Sequence, residues 1–444
     1  FKQRGNWATH SGEYRGNWSP YIPRNVILKY SKPGEMVLDY FCGAGTTAVE
    51  CKLLGRRCIA LDINDKAIEL AKKNVDFNVS PQQLTFSMDE EQSSQIYEPE
   101  LLVGDARNLS FLQDNSVDLI CAHPPYAKIL HYTDSKEGDL SFFDIEDFLK
   151  EMTKVAKESF RVLKSGRQCA ILIGDTRRKK HVIPLGFKLI NVYLDAGFKL
   201  KELVIKRQHN CKTTGFWYSN SIKYNFFLLA HEYLLIFEKT DPFVPLSVTE
   251  READYGLVVP TMENPVLKEK LDEFETTTVW ILPEKNSEEY LNKNVIYRYS
   301  NGKDYSIITF ISHSRNEVDF TGRNIQKDRE LLFIKSPFLN NMPSRSNIEF
   351  YLKETKEIVK QELPNISEGG FLVIQTQDVR IDGYVEPLAK RLVDMLILDN
   401  LWLREIVIVT QERQNPYIDK SEGHLNITHQ YLLVYEKTKR DKYV

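Results

Sequence analysis

Cysteine is scarce, and none of the six (Cys42, Cys51, Cys58, Cys121, Cys169, Cys211) stands in a Cys-x-x-Cys pair. That spacing argues against a zinc ribbon or a thioredoxin-like redox motif. Most sit in apolar runs and read as small core residues in a reducing compartment, so a cytoplasmic location is expected. None follows residue 211, a first sign that the two halves have separate histories. No apolar run is long enough to cross a bilayer and no signal-peptide layout opens the chain, so no membrane partner is expected. Excess positive charge is also missing: the net charge is −3 and the pI about 6.4. Any nucleic-acid surface must therefore be local.

What is present is ordinary for a soluble globular protein, with 42% hydrophobic and 27% charged residues. A length of 444 residues allows two or three domains. The chain begins at Phe1, so a trimmed N-terminus is expected.

Residues 1–25 are rich in Arg, Gly, Asn and Trp, with Arg-Gly-Asn-Trp at Arg4–Trp7 and again at Arg15–Trp18. They read as a surface coil or as an arm that helps close a ligand site. Ser19-Pro20-Tyr21-Ile22-Pro23 leads into a short helix over 24–30. Met36 to Asp39 reads as a strand, followed by the turn Tyr40-Phe41-Cys42-Gly43-Ala44-Gly45-Thr46-Thr47 and a helix over 48–54. Gly43 and Gly45 permit a tight turn and close approach of a ligand to the backbone, and the following helix N-terminus offers free N–H groups. A second strand ends in Asp62, about 20 positions on, the spacing at which a carboxylate meets a ribose diol. Residues 67–74 read as a helix and 78–98 as a loop. A third strand ends near Asp105-Ala106; Asp105 either caps a turn or accepts a hydrogen bond from an adenine amino group.

The fourth strand, 117–122, stops abruptly at His123-Pro124-Pro125-Tyr126. Proline cannot continue a central ladder, so a polar ring and a flat aromatic are fixed at the carboxyl end of a strand, where open α/β sheets bind ligands. The plain alternative is a strand with a Pro-rich turn.

Beyond Tyr126 the chain is polar, including Lys128, and reads as a mobile loop over a site. An amphipathic helix (148–162) and a strand (169–173) follow. A basic cluster comes next, Arg177-Arg178-Lys179-Lys180-His181, then a helix (189–194) and a strand (201–206). Residues 207–224 mix cations and aromatics, Arg207, Lys212 and Trp217 among them. They read either as phosphate and base contacts or as a solvated connection. His231–Phe237 is expected to close the sheet.

The second half echoes the first. Phe148-Leu-Lys-Glu resembles Tyr351-Leu-Lys-Glu, and Ile171–Asp175 resembles Val373–Asp378. Pro184-Leu185 matches Pro387-Leu388, and His231-Glu-Tyr-Leu-Leu matches His429-Gln-Tyr-Leu-Leu. Four matches in one order imply an internal duplication. The copy is degenerate: no Gly-x-Gly turn lies in 243–330, and Lys335-Ser-Pro-Phe338 stands in place of His123–Tyr126. The expected domains are 1–242 (catalytic), 243–275 (linker) and 276–444 (a degenerate repeat serving as scaffold or DNA-recognition lobe).

Over roughly residues 5–240 the chain resembles the S-adenosylmethionine-dependent DNA methyltransferases that modify exocyclic amino groups, the N6-adenine/N4-cytosine class. Asp39-Tyr-Phe-Cys-Gly-Ala-Gly-Thr-Thr47 is similar to that family's cofactor motif and His123-Pro-Pro-Tyr126 to its catalytic motif, in unpermuted order. The resemblance implies a Rossmann-like α/β sheet with helices on both faces, followed by a degenerate α/β methyltransferase-like domain. It implies S-adenosylmethionine as cofactor, no metal, and double-stranded DNA as partner. It places Pro20 and Tyr21 at the methionine pocket, Asp39, Phe41, Gly43, Gly45, Thr46 and Thr47 in the cofactor motif, Asp62 at the ribose, and Asp105 and Ala106 at the adenine. His123, Pro124, Pro125 and Tyr126 become catalytic, with Tyr126 stacking on a flipped base. Lys128, Arg177, Arg178, Lys179, Arg207, Lys212 and Trp217 become DNA contacts.

His123 departs from the usual Asp, Asn or Ser, and so leaves open which base is modified. A neutral imidazole accepts a hydrogen bond; imidazolium does not. A cognate restriction endonuclease is an expected partner, and the assembly is a monomer with an internal pseudo-dimer, or a homodimer. Two alternatives stand beside this reading: an RNA base methyltransferase, and a non-catalytic nucleic-acid-binding protein that keeps the fold.

Overall fold

The computed structural model describes residues 5, 7–10, 16–79, 95–126, 138–178, 180–209, 215–240, 258–263, 276–302, 304–312, 328–338, 343–411 and 424–438. Two compact units emerge. One comprises residues 1–174, 185–206 and 232–245, the other 175–184, 207–231 and 246–444. Residues 175–184 and 207–231 thus group with the second unit although they precede residue 242.

The first unit is built on α1 (Tyr21–Tyr30), β1 (Met36–Asp39), α2 (Thr46–Leu53), β2 (Arg57–Asp62), α3 (Asp65–Val75), β3 (Glu100–Val103), β4 (Val117–Ala122), α4 (Ile145–Val162), β5 (Leu163–Ile173), α5 (Leu185–Asp195), β8 (Lys199–Arg207) and β9 (His231–Glu238). The intervening strands β6 (Thr176–Arg178) and β7 (His181–Ile183) form an antiparallel hairpin. The seven-stranded sheet runs β3-β2-β1-β4-β5-β9-β8. β3 through β5 are parallel neighbours, and β9 is antiparallel to β5. His231–Phe237 therefore does not close the sheet; it inserts between β5 and β8, and β8 is the edge. All six residues of β4 are buried, as expected of a strand covered on both faces.

Local chemistry fixes the helices. Asp144 caps α4 by accepting the N–H of Asp147, and the helix buries Phe148, Met152, Val155, Ala156, Ser159 and Val162, an apolar stripe with helical spacing. In the second unit α7 is Ser287–Ser300, and Ser344 caps α8 (Arg345–Glu362) through the N–H of Asn347. That helix buries Ile348, Tyr351, Leu352, Ile358 and Val359.

The second sheet contains β10 (Val258–Glu263), β11 (Val279–Leu282), β12 (Tyr305–Ser312), β13 (Arg329–Lys335), β14 (Ile366–Thr376), β17 (Leu401–Gln411) and β18 (Gln430–Lys437). Between β14 and β17 come a hairpin of β15 (Val379–Ile381) and β16 (Tyr384–Glu386), then α9 (Leu388–Met395). The sheet order is β10-β12-β13-β14-β18-β17-β11. From β12 onward this repeats the first unit's β1, β4, α4, β5, hairpin, α5, β8 and β9. β10 lies inside the stretch expected as linker. Its Pro260 is tolerated because β10 is an edge strand, paired only with β12.

The register makes the repeat explicit. Ala122 pairs with Ile171, and Ile171 with Leu235. Ile334 pairs with Ile374, and Ile374 with Leu433. Superposing His231-Glu-Tyr-Leu-Leu on His429-Gln-Tyr-Leu-Leu then places Lys335 where His123 stands, Gln430 where Glu232 stands, and Gln377 where Gly174 stands. What the repeat omits is the α2-β2-α3-β3 segment: β12 ends at Ser312 and β13 begins at Arg329, too short for two βα crossovers.

Candidate active site

In the first sheet the chain runs outward from β1 to β3 and returns to β4 on the other side of β1. That reversal is the topological switch point at which open α/β sheets bind ligands. A pocket of about 680 Å³, mouth included, opens there. Its lining comes from the carboxyl ends of four strands: Tyr40–Gly43 after β1, Asp62 at the end of β2 with Ile63 beyond it, Gly104–Ala106 after β3, and His123 and Pro125 after β4. Gly16–Trp18 and Gly138–Leu140 complete it.

The glycine turn is held from inside. Asp39 is buried; it accepts the hydroxyl of Thr47 at 2.5 Å and the N–H of Phe41 at 3.0 Å. Burial pushes its carboxyl up to about 7, against the lowering pull of those two bonds. Gly45 adopts φ +80, and a Cβ there would stand 3.0 Å from the Cβ of Ala71, so the left-handed turn and the close packing on α3 both require glycine. Asp62 accepts the N–H of Gly43 and of Asn64, both at 2.9 Å. Asp105 both caps its turn and faces the pocket. It accepts the N–H and guanidinium of Arg107, and these bonds hold its carboxyl below the usual value despite burial.

At the other end, His123 stacks on Trp18 with ring centroids 5.7 Å apart and a 19° interplanar angle. Its Nε2 lies 3.2 Å from the Tyr126 hydroxyl, which in turn donates to Glu232 Oε1 at 2.7 Å. Lys206 pairs with the other oxygen of Glu232. The ring also hydrogen-bonds the Gly16 backbone. Burial pushes His123 below its ordinary 6.5; Glu232 pulls it up, Lys206 pulls it down, and the Gly16 contact pulls it up. Burial alone would raise Glu232, but Lys206, His123 and the Tyr126 hydroxyl hold it below the usual carboxylate value.

The structure thus brings Phe41, Gly43, Asp62, Asp105, Ala106, His123 and Pro125 to one cavity. Asp39, Gly45, Thr46 and Thr47 support the turn without lining it. Pro20 and Tyr21 do not line it either; the Tyr21 ring packs edge-on against Trp7 at 4.7 Å. Glu232, Lys206 and Arg107 are site residues that the sequence motifs do not mark, whereas Trp18 ends the second Arg-Gly-Asn-Trp. Glu232 carried one signal, a carboxylate inside an otherwise apolar strand.

Of the expected DNA contacts, Lys128, Lys179 and Lys212 lie outside the described residues, and Trp217 falls in α6 (Gly215–Tyr224). Arg178 and Arg207 are exposed. Arg177 is not: its guanidinium pairs with Glu405 and donates to the carbonyls of Lys180, Arg404 and Phe227, all within the second unit. Four of its five guanidinium N–H donors are thus committed inside the second unit, so the phosphate-contact reading passes to Arg178 and Arg207. Among the described residues no cluster of ligating side chains could hold a metal ion, and no helix is long and apolar enough to cross a membrane.

The model of the DNA methylase family matches residues 2–73 and 117–322, more than half of the chain, and a general methyltransferase-domain model matches 38–171. The type II methyltransferase M.SmaI of Serratia marcescens is 35% identical over 77 residues, 16% of this chain and 26% of that protein. The tRNA (guanine(10)-N2)-dimethyltransferase of Methanothermobacter thermautotrophicus is 32% identical over 114 residues, 26% of this chain and 29% of that protein. The match thus spans less than a third of either relative. A solved SAM-dependent methyltransferase from Methanosarcina mazei is 17% identical, with a TM-score of 0.32, covering 48% of this chain and 97% of that one.

Proposed function

The chain belongs to the DNA methylase family, and we propose that its first unit methylates an exocyclic amino group of a base flipped out of duplex DNA. One observation carries the reading: Asp62 and Asp105 line the same cavity as His123 and Pro125.

The pocket fits S-adenosylmethionine by its donor and acceptor balance. Among the described lining residues are three carboxylates, Asp62, Asp105 and Asp139, and the ring of His123, with no Lys or Arg. Acceptors of this kind suit ribose hydroxyls, an adenine amine and a cationic centre. Asp62 would hold the ribose and Asp105 the adenine, with Phe41 and Gly43 against the nucleoside. When bound, the cofactor supplies an electrophilic methyl group on a sulfonium sulfur.

The chain's own residues prepare the amine and remove its proton. The Pro124 carbonyl accepts one amino hydrogen and frees the nitrogen lone pair. Tyr126 has one hydroxyl proton and gives it to Glu232, so toward His123 it offers a lone pair. Gly16 offers the ring a second acceptor. The neutral ring carries one N–H for these two acceptors. Burial keeps the ring neutral beforehand, and uptake of the amine's proton satisfies the second contact. The Tyr126 contact, 3.2 Å against 2.7 Å for the hydroxyl's bond to Glu232, is the one an incoming amine displaces. Orientation and electrostatic placement supply the rest.

Arg178 and Arg207 meet phosphates. A cognate restriction endonuclease and an internal pseudo-dimer belong to the same proposal. Purified protein with genomic DNA and labelled cofactor should yield N6-methyladenine or N4-methylcytosine by nucleoside mass spectrometry, with long-read mapping giving the site. Cofactor binding without any modified base would sink the DNA reading. The similarity to a tRNA dimethyltransferase favours a second reading, RNA base methylation, and the same assay on transfer RNA separates the two. Absence of cofactor binding by calorimetry would leave only a non-catalytic binding protein.

A further inference from the structure

We propose that the second unit binds a nucleobase bearing an exocyclic amine, in a cleft lined by its counterparts of Glu232 and Gly174. The cleft measures about 960 Å³, mouth included. The ends of β11, β14 and β17, the approach to β18 and the first turn of α7 surround it.

Strand register defines its relation to the first unit. Gln430 stands for Glu232 and Gln377 for Gly174, and both line the cleft. Gln375 also lines it, standing where the first unit has Leu172. The acid–base centre is gone: Lys335 replaces His123, and its Nζ bonds Glu288 at 2.9 Å. The cofactor half is gone with the β2–β3 segment. What remains is a cleft that can bind but cannot transfer.

Two observations point to a ligand. The first is the cleft itself, re-lined with primary amides where the first unit has an apolar side chain, a glycine and a carboxylate. The second is Gln375, 3% exposed, whose Nε2 donates to Gln430 Oε1 at 2.8 Å while its Oε1 has no partner among the described residues. A buried acceptor left unmade is costly, and with the Gln375 amide turned toward the cleft a ligand's donor would complete it. Glutamine presents an acceptor beside a donor, the complement of an adenine edge with its amino group and ring nitrogen. That complementarity holds for either assignment of the amide oxygen and nitrogen. No Lys or Arg is among the described lining residues, so the ligand is the neutral base rather than its phosphate.

The inference rests on the proposed function in one respect, the ligand class taken over from the first unit's base side. The test uses the full chain, with adenosine, cytidine and thymidine as probes, followed by hydrogen–deuterium exchange and calorimetry. Adenosine or cytidine should slow exchange over 282–291 and 427–430, and thymidine, which lacks the amine, should bind at least tenfold more weakly. Gln375→Leu should weaken binding tenfold or more, while Tyr126→Ala leaves these protections in place. Should Gln375→Leu fold poorly, the wild-type exchange map decides alone. No protection at those segments, or equal protection by thymidine, overturns the inference. Protection confined to the first unit overturns it while sparing the proposed methyl transfer. Protection at 427–430 in a protein that methylates nothing supports it and sinks the methyl-transfer reading instead.

Discussion

Glu232 accepts the hydroxyl proton of Tyr126 at 2.7 Å, 106 residues away in the chain. That bond turns the tyrosine oxygen toward His123 as an acceptor and so sets the protonation chemistry of the ring. Glu232→Leu should lower the methyl-transfer rate by roughly 10²-fold, the scale of a lost acid–base contribution. Glu232→Gln keeps an acceptor for Tyr126 and should lose less. Equal rates for all three proteins in a single-turnover assay would remove Glu232 from the mechanism.

The pH–rate profile carries a sign. His123 is held below its ordinary 6.5 by burial and works as the neutral base, so activity should fall only as pH drops below 6.5. The Glu232 charge raises that pKa and Lys206 lowers it. Glu232→Gln should therefore move the acid limb to lower pH and Lys206→Met to higher pH. Activity that rises on acidification, or two shifts of the same sign, would count against His123 as proton acceptor.

Asp39 is a stability group rather than a pocket wall. Its folded pKa of about 7 lies above the unfolded value, so the folded state binds the proton more tightly. Stability from this group is greatest at low pH, declines as pH rises from about 4 through 7, and is level above; the difference is on the order of 4 kcal/mol. Asp39→Asn should flatten the pH dependence of the melting temperature between pH 4 and 8. Calorimetry should find cofactor affinity within a few-fold of wild type.

Gly45→Ala forces a Cβ into the left-handed region and against Ala71. A loss of about 1–3 kcal/mol in urea unfolding is expected, together with weaker cofactor binding. An unchanged urea midpoint would show that the turn tolerates a side chain.

Arg177 and its neighbours should separate in a salt titration. Arg177→Met leaves the buried Glu405 carboxylate without its partner and should cost about 3–5 kcal/mol of stability, with no change in the salt slope of DNA binding. Arg178→Ala and Arg207→Ala should leave stability within about 0.5 kcal/mol and lower the salt slope by about one each. A salt-slope change in Arg177→Met at full stability would return that residue to the interface.

The sequence by itself determined whatever depends on local chemistry. Gly43 and Gly45 announce the turn, Asp62 and Asp105 the strand ends, and Pro124 the point where β4 must stop. The phase of Phe148–Val162 and of its counterpart in α8 shows which helix face is buried. The duplication was legible as well, because strands β9 and β18 keep nearly the same residues. Only the tertiary structure decided what comes from remote parts of the chain. Strand β9 inserts between β5 and β8 and carries Glu232 to Tyr126. Pairing with Glu405, 228 residues away, converts Arg177 from a free cation into a structural one. Pro260 lies in an edge strand that composition alone reads as linker. Register along β13, β14 and β18 turns three glutamines, unremarkable in the sequence, into the lining of a second cleft. A hydrogen bond between distant residues has no signature in either residue's neighbours; it exists once the sheet order is set.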